Sequence, residues 1–441
     1  MFTIKSIIRF AILAPIIVIL LTIGWYQQAI DHVNIFGNTL LTDYYTDSYI
    51  IAGYFINWGI YDRNFNVVDL EVDKLSHVLY AFANVNLDGT IVLGDSWADT
   101  DIRFSKDKTV DGIVDSWKEN DKDLHGNFKQ LALLKQQNRH LKVSLSIGGY
   151  SWSSNFSVIA STPETRSQFA NTAVNHVKNL GLDGIDIDWE FPKDQKDAEN
   201  YVLLLEEVRK SLDDYQRTFD PTDESFILSV AMPCGPENYR ILKLDKMAKY
   251  VDIFYLMAYD FAGSWDKVTG HQSNLYGGAL NVNQAVTDFE KAGIPSKKIV
   301  MGIPMYGRAF SNTNSEPGSI YKGVPNGSWE KGSFDYKDLP RQNAKEFIDK
   351  SKGASWSYSE TNQEFVTYDT PVVVEVKCEY IKNRKLGGVM FWELSADVKS
   401  INNSSRSLLN TAYLSLGDKL NTVENHILFP LSEYKNIPHF S

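Results

Sequence analysis

Cysteine is nearly absent from the 441-residue sequence; only Cys234 and Cys378 occur. That excludes a disulfide-framed scaffold, a cysteine-rich binding module and a zinc site built from four cysteines. The two lie far apart in the chain and are expected to remain free thiols. Positive charge is in deficit, since 44 Lys+Arg against 55 Asp+Glu give a net charge of −11. Holding a phosphate backbone needs clustered positive charge, so no nucleic-acid partner is expected. Internal repeats, Ser/Thr/Pro-rich linkers and low-complexity tracts are missing. No glycine-rich phosphate turn stands out, and no cofactor is implied. Hydrophobic residues at 43% and charged residues at 22% match a folded chain and exclude global disorder. At ~100–200 residues per domain, the length allows two or three domains or one large barrel.

One long apolar run is present. Phe10 to Ile30 carries no charge, and Lys5 and Arg9 precede it. This reads as a secretory signal peptide or a signal anchor over residues 1–27, followed by a stem over 28–47. A spanning helix needs ~20 apolar residues, so length leaves both readings open. An anchor would run through residues 7–27, and in either case the body enters the secretory pathway, to the exterior or the cell surface. Four N-glycosylation triplets agree with that compartment, beginning at Asn155, Asn326, Asn402 and Asn403.

Short β-rich runs recur through the body. They are read at Tyr49–Phe55, His77–Ala83, Lys142–Ile147, Gly184–Trp189, Phe226–Met232, Asp252–Met257, Lys298–Pro304 and Gly388–Trp392. Helical spacing of apolar residues appears between them at Phe128–Gln137, Thr165–Leu180, Ala198–Leu212, Asn283–Ala292 and Val372–Asn383. Eight alternations of strand and helix predict an α/β fold, a parallel (β/α)8 TIM barrel over residues 48–416. The long gap before the last strand predicts a small α+β insertion between strands 7 and 8, at 308–368. In a barrel such an insertion sits beside the active face. Residues 417–441 form a tail without an assignment.

The informative segment is Asp183-Gly184-Ile185-Asp186-Ile187-Asp188-Trp189-Glu190. Side chains on a strand alternate faces, so Asp186, Asp188 and Glu190 share one face and Ile185, Ile187 and Trp189 the other. The apolar set suits the outer helices, which turns the acidic set into the barrel. Like charges at close range raise one another's pKa, so the stack should hold at least one proton at neutral pH. A glutamate with a raised pKa at a strand's C-terminal end suits general-acid work. A solvated helix face fails as an alternative, because it would expose Ile185, Ile187 and Trp189. A carboxylate metal site is also weighed, but no clustered ligands appear at other strand ends, so no metal is expected. Three further strand ends aim at the same mouth. These are Ser146 with Gly148 and Gly149, Met257 with Tyr259 and Asp260, and Trp392. The glycines allow close backbone approach, and an indole can floor a sugar subsite.

Together these pieces resemble the family 18 glycoside hydrolases, the chitinase family. Its D-G-x-D-x-D-x-E signature is matched by Asp183 to Glu190, its S-x-G-G by Ser146 to Gly149, and its M-x-Y-D by Met257 to Asp260. The stretches Tyr54–Tyr61 and Pro304–Arg308 and the insertion are similar to the deep-cleft, fungal-type branch. The resemblance spans Tyr49 to about Ser400. It implies a monomeric hydrolase cutting β-1,4 bonds of chitin or chito-oligosaccharides, with the substrate's own acetamide as nucleophile. Glu190 would be the acid and base. Asp188 would orient the acetamide, Asp186 would share a proton with Asp188, and Tyr259 would bond the acetamide carbonyl. Asp260 would contact the sugar, Tyr54, Phe82 and Trp392 would line the −1 site, and Arg308 would reach the chain nearby.

Two departures from the family pattern stand out. Many members carry Trp after the paired glycines where this chain has Tyr150, with Trp152 two residues on, and Phe191 replaces a common Tyr. The competing readings are an endo-β-N-acetylglucosaminidase on N-glycans and a silent chitin-binding lectin. Family lectins usually lose the acid that Glu190 supplies, and those endoglycosidases usually lack the insertion.

Overall fold

The computed structural model describes residues 48–116, 122–219 and 225–437. The apolar N-terminal run lies outside them. Among the described residues no helix is long and apolar enough to cross a membrane.

Eight parallel strands form the barrel: β1 (Ile50–Ile56), β2 (His77–Val85), β3 (Lys142–Gly148), β4 (Gly184–Asp188), β5 (Ile227–Pro233), β6 (Ile253–Met257), β7 (Ile299–Pro304) and β8 (Gly388–Trp392). Each pairs with the next, and β1 pairs with both β2 and β8, so the sheet closes. The expected strands are present within a residue or two at most ends. β2 runs further than its apolar run suggests, because a short strand at Ile91–Leu93 folds back antiparallel on its end.

Five helices longer than one turn lie between the strands, at Gly126–Gln137, Pro163–Leu180, Gln195–Phe219, Val282–Lys291 and Pro371–Arg384. Their ends are written locally. Thr162 accepts the Thr165 N–H, Pro163 takes the first turn and left-handed Gly181 closes the helix between them. After β5 the sequence shows no helix, and the structure has two four-residue turns, Pro236–Tyr239 and Leu244–Met247. The outward face of β4 packs as its alternation requires. Ile185, Ile187 and Trp189 are buried, and the indole lies 5.5 Å from the Phe156 ring and 5.1 Å from Tyr201. Burying each such side chain is worth about 1.5–3 kcal/mol.

Between β7 and β8 the chain builds a five-stranded antiparallel sheet. Its strands, in spatial order, are Ser333–Asp335, Tyr306–Ser311, Glu364–Thr367, Ala354–Ser359 and Lys345–Asp349. Arg63, from the loop after β1, clasps this module to the barrel. Its guanidinium reaches Asp335 at 2.8 Å and Glu393, just past β8, at 3.2 Å.

The floor of the barrel explains two features that the sequence leaves open. Asp183 is buried and does not face the cavity's mouth. It pairs with Lys135 at 2.8 Å and accepts the Val143 N–H at 2.7 Å and the His426 N–H at 2.8 Å. It therefore joins a helix, β3 and the C-terminal segment. That segment packs onto the floor. Asn425 donates to the carbonyls of Lys135, Asn138 and Leu141, His426 stacks on Phe226, and Phe429 and Ile437 are buried. Both cysteines are buried free thiols.

Breaking the floor pair strands a buried ammonium and two amides. Asp183→Ala is expected to lower unfolding free energy by about 3–5 kcal/mol, measured by urea denaturation. A loss under about 1 kcal/mol would mean that the pair is not structural.

Candidate active site

Two carboxylates of β4 and a third just past its end rise inside the barrel toward its C-terminal mouth. Asp186 is lowest and fully buried. Its Oδ2 accepts hydroxyl hydrogen bonds from Tyr54 of β1 at 3.0 Å and Ser146 of β3 at 2.7 Å, and its Oδ1 accepts from Ser229 of β5 at 2.7 Å. Three strands thus converge on one side chain. Both serines sit at the ladder positions opposite Asp186. Ser146 is visible in the sequence motif. Ser229 was missed, although a hydroxyl within the apolar run Phe226–Met232 is the signal that marks it.

Asp188, one step higher, is buried, and among the described residues its Oδ1 has no hydrogen-bond partner. Burial, then Glu190, then Asp186 push its carboxyl well above the usual range. Burial also raises Asp186, against the three hydroxyl bonds that lower it. Glu190 stands at the mouth, partly exposed. Burial and the charge of Asp260 push it up to about 7. Burial and like charge thus push the stack toward its protonated forms.

Gly148 and Gly149 close β3 with positive φ angles of 112° and 77°. A Cβ on Gly148 would meet the Asp188 carbonyl at 2.2 Å, and one on Gly149 would meet the Phe82 ring at 2.8 Å. These positions need glycine so that backbone can lie against the acid strand.

An aromatic wall completes the mouth. Tyr54 is 5.0 Å from Trp392 and 6.2 Å from Phe82, and Phe82 stacks on Trp392 at 5.6 Å. Trp58, 6.4 Å from Phe82 and 42% exposed, extends this wall. It was not singled out from the sequence, though it lies in the stretch Tyr54–Tyr61. Across the mouth, Met257 ends β6, and Tyr259 is partly buried with its hydroxyl raised by burial and by the neighbouring Tyr306 and Asp188. Asp260 accepts from Arg308 Nε at 2.8 Å and Nη2 at 2.9 Å, and from the Tyr306 hydroxyl at 2.7 Å. Tyr150 lies apart from the packed wall on the rim turn and is 87% exposed. All other expected site residues are brought together at one end of the barrel.

This arrangement can deliver a proton from Glu190 near neutrality and take one back. Asp260, in the loop after β6, is a carboxylate from another segment that lies near enough to act on Glu190, and its oxygens are already occupied by Arg308 and Tyr306. Among the described residues no group of three or more His, Cys, Asp or Glu is placed to hold a metal ion.

The family model for glycosyl hydrolases family 18 matches residues 50–397. The chain belongs to glycosyl hydrolase family 18. Over 393 residues it is 44% identical to chitinase 1 of Aphanocladium album, covering 88% of this chain and 89% of that protein. It is 44% identical over 404 residues to endochitinase 1 of Metarhizium robertsii, covering 90% and 92%. Among solved structures, the catalytic domain of psychrophilic chitinase B from Arthrobacter TAD20 superposes with a TM-score of 0.77 at 29% identity, covering 86% of this chain and 98% of that one.

A family 18 glutamate held in this way should cost stability when it ionises. The Glu190 pKa moves from 4.5 to about 7 on folding. The folded state therefore binds the proton more tightly, and this group's stabilisation is full below pH 4.5 and lost as pH rises through 7. Glu190→Gln should match the wild type at pH 4 and exceed it by about 2–3 kcal/mol at pH 8.5. Denaturant titrations at the two pH values test this. A difference that does not change with pH would remove the assignment.

Proposed function

We propose that this chain is a chitinase, hydrolysing β-1,4 linkages between N-acetylglucosamine units of chitin or chito-oligosaccharides with retention at the anomeric carbon. The observation that carries the reading is the placement of Glu190 at the mouth, its carboxyl pushed up to about 7 by burial and Asp260, above an Asp188 oxygen with no hydrogen-bond partner among the described residues. An ordinary retaining glycosidase needs a free carboxylate nucleophile ~5 Å from its acid. Asp260 is tied to Arg308 and Tyr306, and Asp188 and Asp186 lie lower on the acid's own strand. The substrate then supplies the nucleophile. The acetamide oxygen of the −1 sugar attacks its own anomeric carbon while Glu190 protonates the departing glycosidic oxygen, giving an oxazolinium ion. Glu190 next takes a proton from a water whose oxygen attacks the anomeric carbon, breaking the bond from that carbon to the acetamide oxygen and restoring the acetamide. The free Oδ1 of Asp188 accepts the acetamide N–H and balances the positive charge, and the Tyr259 hydroxyl donates to the acetamide carbonyl. Asp186 shares protons with Asp188. Tyr54, Phe82 and Trp392 hold the distorted −1 sugar, with Trp392 as its floor. Asp260 and Arg308 contact the chain beside it.

Relatives named chitinase and endochitinase over nearly the whole chain support the substrate class. Retention of Glu190 weighs against a silent lectin, and the insertion weighs against an N-glycan endoglycosidase. The basic, then apolar N-terminus and the glycosylation triplets support entry into the secretory pathway, with the leader cleaved or kept as an anchor. One triplet is already engaged, because the Asn155 amide donates to the Val85 carbonyl at 2.8 Å.

The purified protein should release fluorophore from a fluorogenic chitotriose glycoside. Glu190→Gln should lose about 10²–10⁴-fold in kcat. The wild-type kcat/KM should fall above about pH 7, as the acid of the free enzyme ionises. If both proteins bind chito-oligosaccharide and neither turns over, the lectin reading is correct. A variant with full activity would mean that another residue is the acid.

A further inference from the structure

Backbone pairing in β4 ends at Asp188, so no strand ladder fixes the main chain of Glu190. A catalytic carboxyl needs placement within about 0.5 Å, and something else must supply it. Ser153, in the loop after β3, is buried, and its Oγ accepts the Glu190 N–H at 2.7 Å. A serine hydroxyl carries one proton and two lone pairs. Here that proton lies between the carbonyls of Gly149 at 2.9 Å and Asp188 at 3.1 Å. The Gly149 N–H donates to the same Asp188 carbonyl at 2.8 Å. Both ends of the segment Asp188–Trp189–Glu190 are therefore tied to the loop 149–153, and one hydroxyl makes the bond to the acid's own amide.

That loop also forms the rim. The Trp152 N–H closes on the Gly149 carbonyl at 3.2 Å, and Tyr150 projects from the turn into solvent. Resting on the chitinase reading above, we propose that Ser153 is a positioning residue for Glu190, setting the acid's carboxyl against the departing oxygen and linking it to the rim turn that carries Tyr150. Ser153 touches neither the sugar nor the reacting atoms. It acts through the backbone of Glu190.

A displaced acid leaves a distinctive kinetic mark. A sugar alkoxide is a poor leaving group and depends on proton transfer, whereas 2,4-dinitrophenolate leaves with little help. Ser153→Ala should lower kcat on chitotetraose about 30-fold and on dinitrophenyl chitobioside less than about 3-fold, with KM on each within about twofold. Ser153→Thr, which keeps the hydroxyl, should restore most of the chitotetraose rate. Thermal melts by circular dichroism accompany each variant. Should Ser153→Ala fail to fold, Ser153→Cys, similar in shape with a weak donor and acceptor, gives the same ratio of losses. Equal losses on both substrates, or no loss on either, would overturn the proposal while leaving the chitinase reading intact. A wild type inactive on both would overturn that reading and this proposal with it.

Discussion

Among the described residues, no ion pair reaches the carboxyls on the inward face of β4. Asp186 is bonded by three neutral hydroxyls, and one oxygen of Asp188 by nothing. Three residues before Asp186, Asp183 has a lysine at 2.8 Å. This contrast divides the signature segment into two kinds of work. Where a buried carboxylate is given an ammonium, it holds elements together. Where it is given only hydroxyls and carboxylate neighbours, its proton becomes a reagent.

Cations are spent instead at the rim. Arg308 occupies Asp260, and Arg63 gathers Asp335 and Glu393. Both contacts tie the inserted sheet to the barrel at its open end. Arg308 also removes Asp260 from competition as a nucleophile while leaving its charge near Glu190. The insertion is thus electrostatically part of the site and not only a wall beside it.

Much of this was legible in the sequence because it depends on short-range periodicity. Alternation along β4 separates Ile185, Ile187 and Trp189 from the acidic set with no structural knowledge, and the strand runs give the eightfold order. What escaped is set by partners distant in the chain. Ser229 has meaning only once β5 lies beside β4. Ser153 reads as an ordinary loop serine until the loop folds over Glu190. The C-terminal residues carry no periodicity of their own; Asn425 and His426 are used through point hydrogen bonds to a floor built from segments 243 to 290 residues earlier. After β5 the sequence shows no helix and the structure builds only two four-residue helical turns, too short to leave a periodic signal.

The convergence of Tyr54, Ser146 and Ser229 on Asp186 has a consequence for how such a protein can change over generations. The spacing of β1, β3, β4 and β5 is referenced to one internal strut, well below the surface where substrates are met. At the mouth, side chains that project away from that strut, such as the exposed Tyr150, can be exchanged without touching it, whereas the backbone of the loop 149–153 is tied to Glu190 through Ser153. Rim side chains are therefore freer to vary than the rim backbone, and the strut below the mouth stays constant while the edge is retuned one side chain at a time.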